Sequence, residues 1–122
     1  MEPVTNPPAI DPEAVETAER QTLSPMSERR MRRLLDVLCD GTRLKIVRAL
    51  RDNELAASDI ARILGRSRSA TSQHLRVLRE ADVVQPSRQG NVVRYRLASD
   101  INAEILKDIG RAFDRLDPST AA

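Results

Sequence analysis

Five polar side chains within nine residues, Arg68, Ser69, Ser72, Gln73 and Arg76, carry the most legible chemistry in this sequence. They supply guanidinium forks, short hydroxyls and one amide, groups that match the donors and acceptors on base edges or hold phosphate oxygens. In the stretch LGRSRSATSQHLRVL they are interleaved with Thr71, Leu75 and Leu78 at i, i+4 and i+7. That spacing predicts the buried side of an amphipathic helix, with Val77 flanking it. Gly65 is placed to end one helix in a left-handed conformation, and Ser67 to cap the next with its hydroxyl. A helix from roughly 68 to 80 is about 20 Å long, enough to cross a major groove about 12 Å wide. Two helices joined this way have the form of a helix-turn-helix, yet the same polar face on an isolated helix is simply a solvated surface. The surrounding chain must separate the two readings.

The other reactive side chains are single. Cys39 is the chain's one thiol and cannot form an internal disulfide. Lying between two apolar helical patterns, it is expected to be a small buried hydrophobe, the alternative being a redox thiol sensitised by nearby arginines. His74, the one histidine, adjoins the polar face and has no nucleophile in motif context, so a catalytic base is not indicated. Neither a Gly-rich phosphate loop nor a paired-carboxylate or zinc-finger motif appears. The sequence therefore predicts no enzyme, no resident metal and no cofactor.

Charge supplies the context. The net charge of +2 hides a partition: residues 1–28 hold one Arg against six acids, residues 29–96 sixteen Lys or Arg against seven acids, and residues 97–122 three against five. A middle segment this basic, containing the candidate reading helix, fits a polyanionic partner such as double-stranded DNA. One Tyr and one Phe argue against a stacking platform for single strands. No apolar run approaches the roughly 18–20 residues of a membrane span, and no signal peptide is apparent, so a cytoplasmic protein without a membrane partner is expected.

The elements that would position the polar face follow in order. Residues 1–23 read as an acidic leader, disordered or marginally helical, with Asp11-Pro12 as a helix start. Ser24-Pro25 opens a helix with Met31, Leu34, Leu35 and Leu38 on its apolar side and Arg29, Arg30, Arg32 and Arg33 on the other. Those arginines either hold phosphates or keep the surface soluble. Asp40-Gly41-Thr42 caps a second helix carrying Leu44, Val47 and Leu50, and Ser58 is expected to cap a third carrying Ile60, Ile63 and Leu64. After the reading helix, Asp82 sits where the chain must turn through the left-handed region.

Two strand-like runs, 83–88 and 92–97, flank Gln89-Gly90-Asn91 and predict a hairpin. Val93, Tyr95 and Leu97 should face inward, with Arg94 and Arg96 outward and Arg88 on the other strand. Such a basic hairpin is either a wing reaching the DNA backbone or a plain hairpin with a charged side. Ser99-Asp100 should cap a last helix with Ile101, Ile105, Leu106, Ile109, Ala112, Phe113 and Leu116 along one broad stripe. With Met31 and Leu35, that stripe is either ordinary core or the seam of a homodimer. Pro118 should stop it, leaving 118–122 as a disordered tail.

LCDGTRLKIVRAL, then ELAASDIARILGRSRSATSQHLRVLREADVV, then a hairpin ending in RYRL, resemble the ArsR/SmtB family of bacterial winged helix-turn-helix repressors over roughly residues 28–116. The resemblance implies a mainly helical fold with a small β-hairpin wing, as four helices, two strands and a fifth helix spanning 24–117. It also implies homodimers joined through the first and last helices, each protomer laying its reading helix in a major groove of an inverted repeat. The family's base-reading positions fall on Arg68, Ser69, Ser72 and Gln73. Two departures matter. The family's Glu-Leu-Cys-x-Cys metal pattern reads Glu54-Leu55-Ala56-Ala57-Ser58 here, and no His lies between Ser99 and Leu116, so family-type metal sensing is not expected. Asp82 stands where the family usually has Gly.

The reading from sequence is thus a sequence-specific DNA-binding transcriptional regulator, most simply a repressor. Base contacts fall to Arg68, Ser69, Ser72 and Gln73, and backbone contacts to Arg76, Arg88, Arg94 and Arg96. Dimer contacts fall to Met31, Leu35, Ile105, Ile109, Ala112, Phe113 and Leu116. The alternatives are a winged-helix protein-interaction module and a redox-responsive regulator using Cys39. The sequence leaves the inducer unknown.

Overall fold

A computed structural model of the chain describes residues 7–99 and 101–117, with the side chains of 101–103 outside the description. It divides into two compact units, residues 1–31 and 32–122. In the first, residues 7–10 carry no helix or strand. Helix α1 (Pro12–Gln21) then starts as its sequence dictates: Asp11 accepts the Ala14 N–H at 3.1 Å, and proline takes the first position, where an N–H would have no helical partner. No residue of α1 is buried, so its form rests on local signals. Helix α2 (Pro25–Leu38) opens with Ser24 Oγ accepting the Ser27 N–H at 3.2 Å and runs on into the second unit. The expected leader start, the Asp100 half of the last cap, the Pro118 stop and the 118–122 tail lie outside the described residues.

The second unit holds the core. Helix α3 (Gly41–Ala49) is capped by Asp40, and a two-residue strand, β1 (Leu55–Ala56), leads directly into α4 (Ala57–Leu64). Helix α5 (Arg68–Glu80), strands β2 (Val84–Gln89) and β3 (Val92–Leu97), and α6 (Ile101–Leu116) complete it. Leu34 and Leu38, Ile46, Val47 and Leu50, Ile60, Leu75 and Leu78, Val83 and Val84, and Leu106 form one apolar cluster. This is the mainly helical, hairpin-bearing winged helix-turn-helix that the pattern predicts.

Four details depart from expectation. The sheet has three strands in the order β1-β3-β2, all antiparallel, with Leu55 opposite Tyr95 and Ala56 opposite Arg94. A two-residue strand has no room for alternation, so β1 leaves no sequence signal. Because β1 feeds α4, that helix starts at Ala57 with no side-chain cap, and Ser58 does not serve. Ile63 is 58% exposed: α4 packs through Ala57, Ile60, Ala61 and Leu64, the full i, i+3, i+4, i+7 stripe, which leaves Ile63 on its edge. Cys39 is also exposed rather than buried. Leu38 takes the inward position, and the next residue points away, with Cys39 Sγ donating to the Asp36 carbonyl at 3.1 Å.

Candidate nucleic-acid interface

The turn before α5 is built by two small residues. Gly65 at φ +63 closes α4, with its own N–H on the Arg62 carbonyl at 3.2 Å and the Arg66 N–H on the Ala61 carbonyl at 3.1 Å. Ser67 then turns the chain into α5: its Oγ accepts the Ala70 N–H at 3.1 Å, and its carbonyl accepts both the Thr71 N–H and the Thr71 hydroxyl. Thr71 is fully buried with its hydroxyl satisfied, so it belongs to the helix's underside with Leu75 and Leu78. At the far end Asp82 adopts φ 58, with its N–H on Arg79 and the Val83 N–H on Leu78. The same two-bond closure thus ends α4 on a glycine and α5 on an aspartate.

With that underside fixed, Arg68, Ser69, Ser72, Gln73 and Arg76 are all exposed on the outer face of one helix. Arg66, in the turn, is exposed beside them and was not singled out by periodicity because it lies outside any helix. Arg76 Nε sits 3.1 Å from Glu80 Oε1, an exposed pair one turn apart. Such surface pairs contribute at most about 1 kcal/mol, weak enough for a phosphate to compete. Among the described residues no ion pair engages Arg66 or Arg68. His74 is half-buried and turns toward the start of α3, where it adds to the field on Asp40. The Asp40 carboxyl lies below its usual 3.8 chiefly through the Arg43 N–H, against some desolvation, then through the Thr42 N–H and the charges of Arg43 and His74.

The wing's register sorts its arginines. Residues opposite one another share a face, so Ser87 lies with Arg94, Gln85 with Arg96, and Arg88 with Val93. Arg88 is therefore on the other face of the hairpin from Arg94 and Arg96, and the two faces both carry cations. Gly90 at φ +65 makes the two-residue turn at the tip. Arg96, at the base, lies 3.9 Å from Glu54 beside β1, whereas Arg94 is half-buried and Arg88 exposed.

The residues expected at a dimer seam are mixed in burial. Leu35 is 54% and Leu116 76% exposed, and Ala112 is exposed. Ile105 and Ile109 are partly buried against their own core, and Phe113 and Met31 are half-buried. Among the described residues no group of three or more His, Cys, Asp or Glu is arranged to hold a metal ion. Nor is any described helix long and apolar enough to cross a membrane.

Known proteins resemble the chain that carries this helix, its glycine-closed turn and the basic hairpin beside it. The description of bacterial regulatory proteins of the arsR family matches residues 40–85, from the cap of α3 to the start of β2. The arsenical resistance operon repressor of Escherichia coli is 38% identical over 81 residues, 66% of this chain and 69% of that protein. Among solved structures, HlyU from Vibrio cholerae superposes with a TM-score of 0.69 at 29% identity, covering 74% of this chain and 98% of that one. The homodimeric winged helix-turn-helix DNA-binding domain of Mb0332 from Mycobacterium bovis gives 0.66 at 25% identity, covering 79% and 93%. The chain belongs to the arsR family of bacterial regulatory proteins and is a DNA-binding transcriptional regulator, not an enzyme.

Proposed function

We propose that this repressor works in the cytoplasm as a homodimer on an inverted-repeat operator, each α5 lying in a major groove with half-site centres about one helical turn, roughly 34 Å, apart. Arg68, Ser69, Ser72 and Gln73 contact base edges. Arg76, Arg88, Arg94 and Arg96 contact the backbone, the wing's two charged faces straddling it. The observation that carries this reading is the exposure of the whole polar set on one side of α5 while Thr71, Leu75 and Leu78 are buried on the other.

Dimerisation through Met31, Leu35, Ile105, Ile109, Ala112, Phe113 and Leu116 is supported by the two large leucines left exposed and by the homodimeric state of the Mb0332 domain. Occlusion of a promoter by the bound dimer is then sufficient for repression. The DNA-binding unit on this reading is residues 24–117.

Selection of bound duplexes from a randomised library tests the whole reading. A recovered inverted repeat, bound two chains per duplex with log affinity falling linearly in log salt, supports it. No salt-dependent binding to any duplex replaces it with a protein-interaction module.

A further inference from the structure

One carboxylate in α6 receives two arginines from the end of α3. Asp114 Oδ2 accepts from Arg51 NH1 at 2.7 Å, and Oδ1 accepts from Arg48 NH2 at 3.1 Å. All three side chains are only about a third exposed. The Arg51 side chain reaches Asp114 by lying across Gly110, one turn earlier on α6: a Cβ there would stand 3.1 Å from Arg51 Cδ and 3.2 Å from its NH1. The two guanidiniums close over an apolar cleft lined by Leu44, Val47, Leu106, Ile109 and Phe113.

Burial of Leu106, with Ile105 and Ile109 packed beside it, sets which face of α6 meets the body, but small rotations and slides remain cheap because burial is non-directional. Two arginines on separate oxygens of one carboxylate are directional, so even a small rotation or slide of α6 strains both bonds. On the reading that α6 forms the dimer seam, its rotation is carried into the separation of the two α5 helices. We infer that the Arg48/Arg51–Asp114 clamp, admitted by Gly110, sets the spacing between the paired reading helices and hence the operator spacing the dimer accepts. Arg51 and Asp114 are positioning residues, remote from the bases.

The test uses the full-length chain and the inverted repeat recovered by selection, with its centre lengthened or shortened by one or two base pairs. Wild type is expected to prefer one spacing by about five- to tenfold or more, and Asp114→Asn and Arg51→Lys to flatten that preference while single half-sites bind as before. Gly110→Ala supplies a variant that keeps every clamp residue and adds a better helix former, yet its Cβ obliges the Arg51 side chain to shift. It too should lose spacing preference, with a cooperative melt showing that the fold is kept. Unchanged spacing preference in all three variants overturns the inference while leaving the dimeric reading intact. Wild type binding no inverted repeat overturns the dimeric reading first.

Discussion

The Arg33 guanidinium donates to the backbone carbonyl of Glu80 at 2.7 Å, so an arginine of α2 closes the last turn of the reading helix from 47 residues away. A cation here meets both an unsatisfied carbonyl and the negative end of the helix. Arg33→Gln should therefore destabilise the fold by about 0.3–1 kcal/mol, more at low salt than at high. Urea unfolding at two ionic strengths measures it, and an effect independent of salt would remove the electrostatic account.

Asp40 gives the fold a defined acid limb. Its Oδ1 accepts the Thr42 and Arg43 N–H groups at 2.8 and 3.1 Å, which stabilise the charged form and hold the carboxyl below 3.8. A depressed folded value means that this stabilisation is complete above the unfolded pKa and is lost as pH falls through the folded one. Stability relative to Asp40→Asn, a cap that does not titrate, should thus fall only below about pH 3.8. Asp40→Ala should cost about 1 kcal/mol at neutral pH. Chemical denaturation across pH 2 to 7, a range set by the usual carboxylate values, separates the variants.

The two helix closures predict opposite responses. No atom lies within 4 Å of a Cβ built on Gly65, so Gly65→Ala introduces no clash and its cost is that of left-handed backbone alone, roughly 1–2 kcal/mol. Tm should drop by roughly 4–8 °C per kcal/mol for a domain of this size. Asp82→Gly relieves the same backbone penalty at φ 58, which offsets the freer unfolded chain and the loss of the carboxylate, so it should lower Tm by less than Gly65→Ala or raise it. A destabilisation by Asp82→Gly as large as that from Gly65→Ala would show that the aspartate side chain, not the turn, is what α5 needs.

Base reading and backbone holding should separate in binding assays. Gln73→Ala is expected to cost about 1–3 kcal/mol on the selected operator and relax preference at one position. Arg94→Ala should weaken all duplexes alike and reduce the salt slope by about one. Anisotropy titrations against operator and random duplexes distinguish these, and identical behaviour of the two variants on both would dissolve the division.

The reading helix is legible because the signals that start and seat it are local: Ser67 caps within one turn, Gly65 marks the break, and Thr71, Leu75 and Leu78 repeat at helical spacing. What stayed hidden is non-local. Arg33 reads as one of four arginines on a polar face, and only tertiary packing commits it to Glu80. Arg48 and Arg51 look like solvated cations until α6 returns Asp114 to them. The wing's arginines were visible, but the side of the hairpin on which Arg88 falls depends on the pairing of Val84 with Leu97. Cys39 is exposed against the expectation of burial because it follows Leu38, whose burial decides which of the two neighbours faces in.

Strand β1, two residues long, pairs with the wing on one side and becomes α4 on the other without an intervening loop. The wing is therefore coupled to the helix-turn-helix through the β1–β3 pairing and the backbone that runs from β1 into α4, and on the proposed binding mode a hairpin that flexes to follow a wider groove would pull on the base of α4. Duplexes that bend or narrow easily can meet such a stiff clamp, and stiff ones resist it. On the proposed binding mode, such a yoke would favour compliant DNA even where no side chain touches a base pair.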